Sequence, residues 1–159
     1  MAVMRFVFAT IGLLLIAPAL AADWGFYQNS RYGYEIAVPP DFVGGGESAS
    51  GDGQAFRSRD GARTLLVWGG FLTAGDFSAE MAARQEADAA DGWALSYQAS
   101  SPRWVSYSGT RNGSILYARA IARCDGQYAM FRLEYPKADA VRFNPVVDKL
   151  VQTLREGRC

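Results

Sequence analysis

The chain has 159 residues, of which half are hydrophobic and a fifth charged, with 16 basic and 16 acidic side chains, two cysteines and no histidine. The high apolar fraction and the zero net charge exclude a disordered chain. The lack of histidine excludes Ser-His and Cys-His nucleophile pairs and imidazole metal ligands. Without a basic excess, nucleic-acid binding is not expected.

The first 21 residues have the parts of a secretory signal peptide. Arg5 supplies a positive charge, an apolar run covers residues 6–16, and Ala19-Leu20-Ala21 forms a small-residue cleavage site. The run is shorter than the roughly 20 residues that a membrane-spanning helix needs. We therefore predict that residues 1–21 are cleaved and that residues 22–159 form a single periplasmic or secreted domain without a membrane span. An uncleaved anchor is the alternative.

The two cysteines, Cys124 and Cys159, would meet an oxidising compartment after export. A disulfide between them is predicted, and it would stabilise the fold by roughly 3 to 4 kcal/mol. A free or intermolecular thiol is the alternative.

Three turn dipeptides separate apolar runs and predict antiparallel hairpins: Asp60-Gly61, Asn112-Gly113 and Asp125-Gly126. The runs around them are rich in β-branched and aromatic residues, and short enough to be strands. The predicted strands cover residues 34–38, 55–59, 64–71, 95–99, 103–109, 115–123 and 127–135.

Two segments have the signals of helices. Ser78 is a candidate N-cap for an alanine-rich helix that ends before Gly92. Asn144 and Pro145 suit the start of a second helix, whose apolar residues from Val146 to Leu154 follow helical spacing. The predicted order is three strands, helix, four-stranded meander, helix, which makes an α+β fold with an antiparallel sheet of about seven strands.

A resemblance appears in the strand and turn motifs. Four motifs of the chain resemble those of a group of exported bacterial proteins of uncharacterised function. They are the run Asn29-x-Arg31-Tyr32-Gly33-Tyr34-x-Ile36-x-Val38-Pro39, the glycine-rich residues 44–53, the Asp60-Gly61 turn and Tyr135-Pro136. That group is similar in layout to the PsbP-like fold of photosystem II extrinsic proteins. The resemblance implies an α/β/α sandwich with a non-enzymatic binding or assembly role. Photosynthetic function is not carried over, and no cofactor or metal site is expected, because no residue here matches a known metal or photosystem contact and histidine is absent.

Two-residue turns set the register of the last hairpins, because the residue numbers of any two directly opposed residues then add up to the same value. Around Asn112-Gly113 this arithmetic pairs Trp104 with Ile121, Ser106 with Arg119 and Ser108 with Tyr117. Around Asp125-Gly126 it pairs Arg119 with Arg132 and Tyr117 with Glu134. One face is then apolar and is expected to lie under the second helix: Val105, Tyr107, Leu116, Ala118, Ala120, Phe131, Leu133 and Tyr135.

The other predicted face is aromatic and rich in arginine. Its guanidinium groups and rings suit an anionic ligand, through bidentate hydrogen bonds and stacking. The alternative is an arginine–glutamate network on a solvated sheet face, or on a face covered by the first helix. The candidate ligand-binding residues are Trp104, Tyr117, Arg119, Arg132 and Glu134.

The function we favour at this stage is a non-enzymatic exported module that binds an envelope protein or a small anionic ligand. One alternative is a small cell-envelope hydrolase that uses Glu134 with Asp125 or Asp139, as paired carboxylates do in glycoside chemistry. Another is a structural envelope protein. No residue is predicted to be catalytic.

Overall fold

The structure, a computed structural model, describes residues 23–156. The predicted signal peptide and Cys159 lie outside the described residues, so those two predictions are not tested by it. Two α-helices are present, α1 (Phe77–Ala90) and α2 (Ala140–Thr153), and a 3-10 turn, Lys137–Asp139, leads into α2. The strands are β1 (Gly25–Asn29), β2 (Tyr34–Val38), β3 (Phe42–Glu47), β4 (Gly53–Ser58), β5 (Thr64–Phe71), β6 (Ala94–Ser101), β7 (Trp104–Arg111), β8 (Ser114–Ala122), β9 (Gln127–Pro136) and β10 (Arg155–Glu156).

The strands form two antiparallel sheets. The larger has seven strands in the order β3-β4-β5-β9-β8-β7-β6, and the smaller has three in the order β1-β2-β10. The predicted antiparallel α+β class is confirmed. The predicted order is confirmed in part: a four-stranded meander and a second helix follow α1, but five strands rather than three precede α1, and β10 follows α2. The glycines of β3 have little strand propensity of their own. Pairing with β4, a tertiary contact, makes this segment a strand.

Residues of the Asn29-to-Tyr34 motif hold the glycine-rich segment in place. The side-chain amide of the fully buried Asn29 donates to Glu47 Oε1 at 3.0 Å and to the Gly51 carbonyl at 2.9 Å. The Tyr34 hydroxyl donates to the Asp52 carbonyl at 2.9 Å. Buried polar groups are costly unless they are paired, and these pairs satisfy both sides. The motif that carried the resemblance therefore has a structural role in this chain.

Both helices begin at residues other than those predicted. Asp76, not Ser78, caps α1, since its carboxylate accepts the Ala79 N–H at 2.8 Å. Helix α2 begins at Ala140, so Pro145 lies inside the helix rather than in its first turn. A proline costs less near the start of a helix than deeper in it, which is why the sequence favoured a later start.

The helices cover opposite faces of the larger sheet. The cluster under α1 contains Phe77, Met81, Trp93, Val105, Tyr107, Leu116, Ala118, Ala120, Tyr128 and Met130. The cluster on the α2 side also includes the smaller sheet, and it contains Tyr34, Ile36, Phe56, Leu65, Val67, Ile121, Phe131, Leu133, Tyr135, Phe143, Val147 and Leu150. The prediction that one apolar face lies under the second helix is therefore wrong, because its residues are divided between the two faces. Those of β7 and β8 lie under α1, and those of β9 lie on the α2 side.

Neither helix covers the whole of its face. On the α1 side, Val43 and Leu66 of the β3–β5 half are 59% and 38% exposed. On the α2 side, Tyr97 is 48% exposed and its neighbours Trp104 and Tyr117 are only half-buried. The open areas therefore lie diagonally across the sheet from each other, and the one on the α2 side contains part of the predicted site.

Candidate functional site

A one-residue shift in the β8–β9 hairpin separates the predicted site residues. The turn itself is as predicted, with positive φ at Asp125 and Gly126 and a hydrogen bond from Gln127 N–H to the Cys124 carbonyl at 3.1 Å. The next bond, however, runs from Arg123 N–H to the Gln127 carbonyl. Arg123 rather than Cys124 is therefore opposite Gln127. An extra residue on one strand is a β-bulge, and it shifts the register of everything beyond it.

Relative to the prediction, the shift places every side chain of β9 on the opposite face of the sheet. Arg119 is paired with Phe131, and Ala118 with Arg132, so the predicted pairing of Arg119 with Arg132 is wrong. The predicted pairing of Tyr117 with Glu134 is wrong for the same reason. The β7–β8 pairings are confirmed, including Ser106 with Arg119. Trp104, Tyr117 and Arg119 therefore share the α2 side, whereas Arg132 and Glu134 lie on the α1 side.

Arg132 is held by two carboxylates between α1 and the sheet. Its Nη1 donates to Asp88 and its Nε donates to Glu134 Oε1 at 2.8 Å. Asp88 also accepts the Tyr107 hydroxyl at 2.7 Å, and the Arg132 and Asp88 side chains are only 17% and 11% exposed. Burial lowers the pKa of the Arg132 guanidinium, but the bonds to Asp88 and Glu134 outweigh burial and raise it. Arg132 is thus a structural cation that ties α1 to the sheet.

A second carboxylate–arginine pair fixes the start of α1. Glu80 accepts the backbone N–H groups of Thr73 and Ala74 at 2.9 and 3.1 Å, and it pairs with Arg84 at 2.9 Å. Arg84 also donates to the Tyr128 hydroxyl. Burial raises the pKa of the Glu80 carboxyl, but these hydrogen bonds and the charge of Arg84 lower it overall. Glu80 and Arg84 therefore tie the start of α1 to β9, although Arg84 Nε is buried without a hydrogen-bond partner among residues 23–156.

Arg119, on the other side of the sheet, has no carboxylate partner among residues 23–156. Its guanidinium lies 4.5 Å from the ring centroid of Trp104, and its Nη1 donates to Ser106 Oγ at 2.9 Å. Its Nε is buried and has no hydrogen-bond partner in the described part of the chain. No carboxylate of residues 23–156 forms a salt bridge with it. Burial lowers the pKa of the Arg119 guanidinium, and the electrostatic interactions with Tyr117 and Tyr97 offset this effect only in part.

Aromatic rings lie near this arginine, and a groove lies beside two of them. Tyr97 stacks on Tyr117 with centroids 6.5 Å apart, and Tyr117 stacks on Phe131 at 6.1 Å. Beside the two tyrosines a groove of about 520 Å³ extends to Asn144 and Asp148 of α2. We call the uncovered set on the α2 side the Arg119 surface; it consists of Tyr97, Trp104, Ser106, Tyr117 and Arg119.

No protein-family model and no curated protein matches the chain. Among solved structures, cyanobacterial PsbP (CyanoP) from Synechocystis sp. PCC 6803 is similar over 88% of this chain and 96% of its own, with a TM-score of 0.65 and 14% identity. The chain has a PsbP-like fold. A protein of unknown function from Pseudomonas aeruginosa, PA94, described as a putative regulator, is similar over 86% of this chain and 99% of its own, with a TM-score of 0.46 and 17% identity.

The carboxylates considered for a hydrolase do not share a cleft in this PsbP-like fold. Glu134 pairs with Arg132, Asp139 pairs with Arg63 at 2.6 Å, and Asp125 lies in the exposed β8–β9 turn. Within residues 23–156 no group of three or more Cys, Asp or Glu side chains could hold a metal ion. None of the helices over the same range is long and apolar enough to cross a bilayer.

Sequence reasoning missed two groups of residues. Tyr97 was assigned to a strand but not to the surface, because only its position on the edge strand β6 brings it onto Tyr117. Glu80, Arg84 and Asp88 follow each other at intervals of four in α1. Residues four apart lie on one face of a helix, so this charged row was a usable signal that α1 faces charges on the sheet.

Proposed function

We propose that this chain is a non-enzymatic exported binding module whose Arg119 surface holds a small ligand with a carboxylate and a planar group. The observation that carries the proposal is the half-buried Arg119 guanidinium, which has no anionic partner in the described chain. The proposal keeps Trp104, Tyr117 and Arg119 from the sequence-based prediction. It leaves out Arg132 and Glu134, because Arg132 is paired with both Glu134 and Asp88.

The electrostatic argument starts from the cost of desolvating a cation. A charged group that has lost part of its water needs a compensating partner, and hydrogen bonds to charged groups contribute about 1.5–3 kcal/mol. Ser106 and the Trp104 ring compensate Arg119 in part only, because neither carries a negative charge. A carboxylate that accepts from the guanidinium would complete the compensation. Arg119 is therefore suited to an anion supplied by another molecule.

The exposed tyrosine rings indicate that the ligand contains a planar group. Tyr97 is half exposed although its ring is stacked on Tyr117, so an aromatic surface faces solvent beside the groove. Aromatic rings favour offset stacking with other planar groups, which contributes about 0.5–1.5 kcal/mol beyond burial. A ring beside the tyrosines, with its carboxylate at Arg119, would use both features. An aromatic carboxylate is thus the simplest matching chemistry.

The test is a titration with three probes: benzoate, acetate and the neutral benzamide. The signals of arginine Nε–H and tryptophan Nε1–H groups report binding in isotope-labelled protein. We expect benzoate to shift the Arg119 and Trp104 signals more strongly than acetate, and benzamide to leave Arg119 unaffected. Arg119→Gln should weaken benzoate binding by about tenfold, the loss of one charged hydrogen bond.

The matched control is Arg57→Gln. Arg57 is an exposed arginine on β4, on the α1 side of the sheet. Its substitution removes the same charge from the protein but leaves the Arg119 surface unchanged. It should leave benzoate binding unchanged. Equal benzoate affinity of the wild type and Arg119→Gln would reject the proposed site.

Export and the disulfide belong to the same proposal. They rest on the signal-peptide pattern of residues 1–21 and on the two cysteines, Cys124 and Cys159. In a cell fraction from the envelope, the intact mass should correspond to a chain that begins at Ala22 with its cysteines oxidised to an intramolecular disulfide. An unprocessed chain in the cytosol, with two reactive thiols, would contradict both expectations.

A further inference from the structure

Arg123 lies one residue beyond β8, yet its backbone remains in the sheet. Ala122 N–H donates to the Arg103 carbonyl at 2.8 Å, and Arg123 N–H donates to the Gln127 carbonyl at 2.8 Å. Side chains alternate between the two faces of an extended strand. Arg123 is therefore on the same face as Ile121 and Arg119, at the end of the Arg119 surface.

The Arg123 guanidinium, like that of Arg119, has buried donors that are not used. Its Nε and Nη1 are buried and have no hydrogen-bond partner in the described part of the chain, and the same holds for Arg119 Nε. A buried donor left unpaired costs about 1–3 kcal/mol, and more when it is charged. Two cations on one face also repel each other. Both side chains are only half-buried, and negative charges supplied by a ligand would remove the repulsion.

The spacing of the two arginines defines the length of such a ligand. Four residues of extended strand separate their Cα atoms by about 13 Å. Arg119 lies over the ring of Trp104, and Trp104 is paired with Ile121, midway between the two arginines. The half-buried Trp104 ring therefore offers an apolar contact between two cationic ends. This arrangement matches a molecule with an anion at each end and a hydrocarbon middle.

We infer that Arg119 and Arg123 bind the two carboxylates of one dicarboxylate ligand, whose hydrocarbon chain lies against Trp104. This inference rests on the proposed function, since it uses the same Arg119 surface. It adds a second anchoring residue and a defined separation of charges. The ligand class is thus narrowed from carboxylates in general to dicarboxylates of intermediate length.

The test uses succinate, adipate, suberate and sebacate, with octanoate as the monocarboxylate of similar length. Binding is followed through the arginine Nε–H signals of the labelled protein. We expect affinity to pass through an optimum along the series, at which the dicarboxylate binds about tenfold more tightly than octanoate. Arg123→Gln should remove this advantage and leave octanoate binding unchanged, and Arg57→Gln should change neither. Thermal unfolding of each variant checks that the fold is intact.

The outcomes separate this inference from the proposed function. Arg123→Lys, which keeps the charge but loses the planar fork, should retain part of the dicarboxylate advantage. If monocarboxylates shift Arg119 and dicarboxylates bind no more tightly, the second anchor is wrong and the proposed function stands. A dicarboxylate advantage that survives in Arg123→Gln would also overturn the inference. If no carboxylate shifts Arg119, both the inference and the proposed function are rejected.

Discussion

Each face of the larger sheet partly buries an arginine on a central strand, but only one of the two arginines is paired with carboxylates of the described residues. Arg132, on the α1 side, meets two carboxylates, and their bonds raise its pKa in spite of burial. Arg119, on the α2 side, meets an indole ring and a hydroxyl, and burial lowers its pKa. A buried cation that is paired contributes to the fold, whereas an unpaired one is available to a ligand. Under the proposed function, the α1 face contributes stability and the α2 face binds the ligand.

The largest effect is expected at Arg132. Arg132→Met leaves Asp88 without its cation and Glu134 without its hydrogen-bond donor. Removal of one partner of a buried ion pair leaves an uncompensated charge and costs about 3–5 kcal/mol. Urea unfolding should show this loss of unfolding free energy. A loss close to zero would mean that the pair does not hold α1, and the contrast between the two faces would fail.

A smaller loss is expected from Asp88→Asn. The variant keeps an acceptor for the Tyr107 hydroxyl but removes the charge opposite Arg132, so about 2 kcal/mol should be lost. The double variant with Arg132→Met should lose less than the sum of the two single variants, since both remove the same interaction. Additive losses in this cycle would show that Asp88 and Arg132 act independently.

The acid sensitivity of the α1 side should depend on Glu80. Its pKa is lower in the folded chain than its ordinary value of 4.5, so its stabilising contribution is present above that value and is lost as the pH falls through the folded pKa. Glu80→Gln lacks this contribution at every pH. The unfolding free energies of wild type and variant should therefore differ most at neutral pH and converge in acid. A constant difference down to about pH 3 would rule out this account.

The smallest effect on stability is expected at Arg119. Arg119→Met exchanges a cation–ring contact for a sulfur–ring contact with Trp104 and removes a poorly compensated charge. Unfolding free energy should change by less than about 1 kcal/mol, while carboxylate binding is lost. Urea unfolding beside the Arg132→Met variant makes the comparison direct, because the substitution is the same. Similar losses at both arginines would remove the distinction on which the site rests.

The sequence predicted most helices and strands, but it placed residues from two different faces of the sheet in one site. Alternation and turn dipeptides predicted β7, β8 and β9 and their connections, and the β7–β8 register is confirmed. The β8–β9 register was missed because the bulge at Arg123 and Cys124 has no signature in a turn that otherwise has the expected backbone angles. β3 was missed because its glycines become a strand only through β4. The same limits explain why Tyr97 and Asp88 were overlooked as neighbours of the two arginines.

The sequence by itself determined the α+β class, the hairpins and the amphipathic second helix, because these depend on local periodicity and turn chemistry. It also determined that Arg119 would lie beside Trp104 and Tyr117, since a regular two-residue turn joins their strands. The tertiary structure decided which arginine would be neutralised. A strand has a period of two residues, so one extra residue before Asp125 places Arg132 on the α1 side, beside Asp88. Arg119 stays on the α2 side, where no carboxylate of the described residues pairs with it.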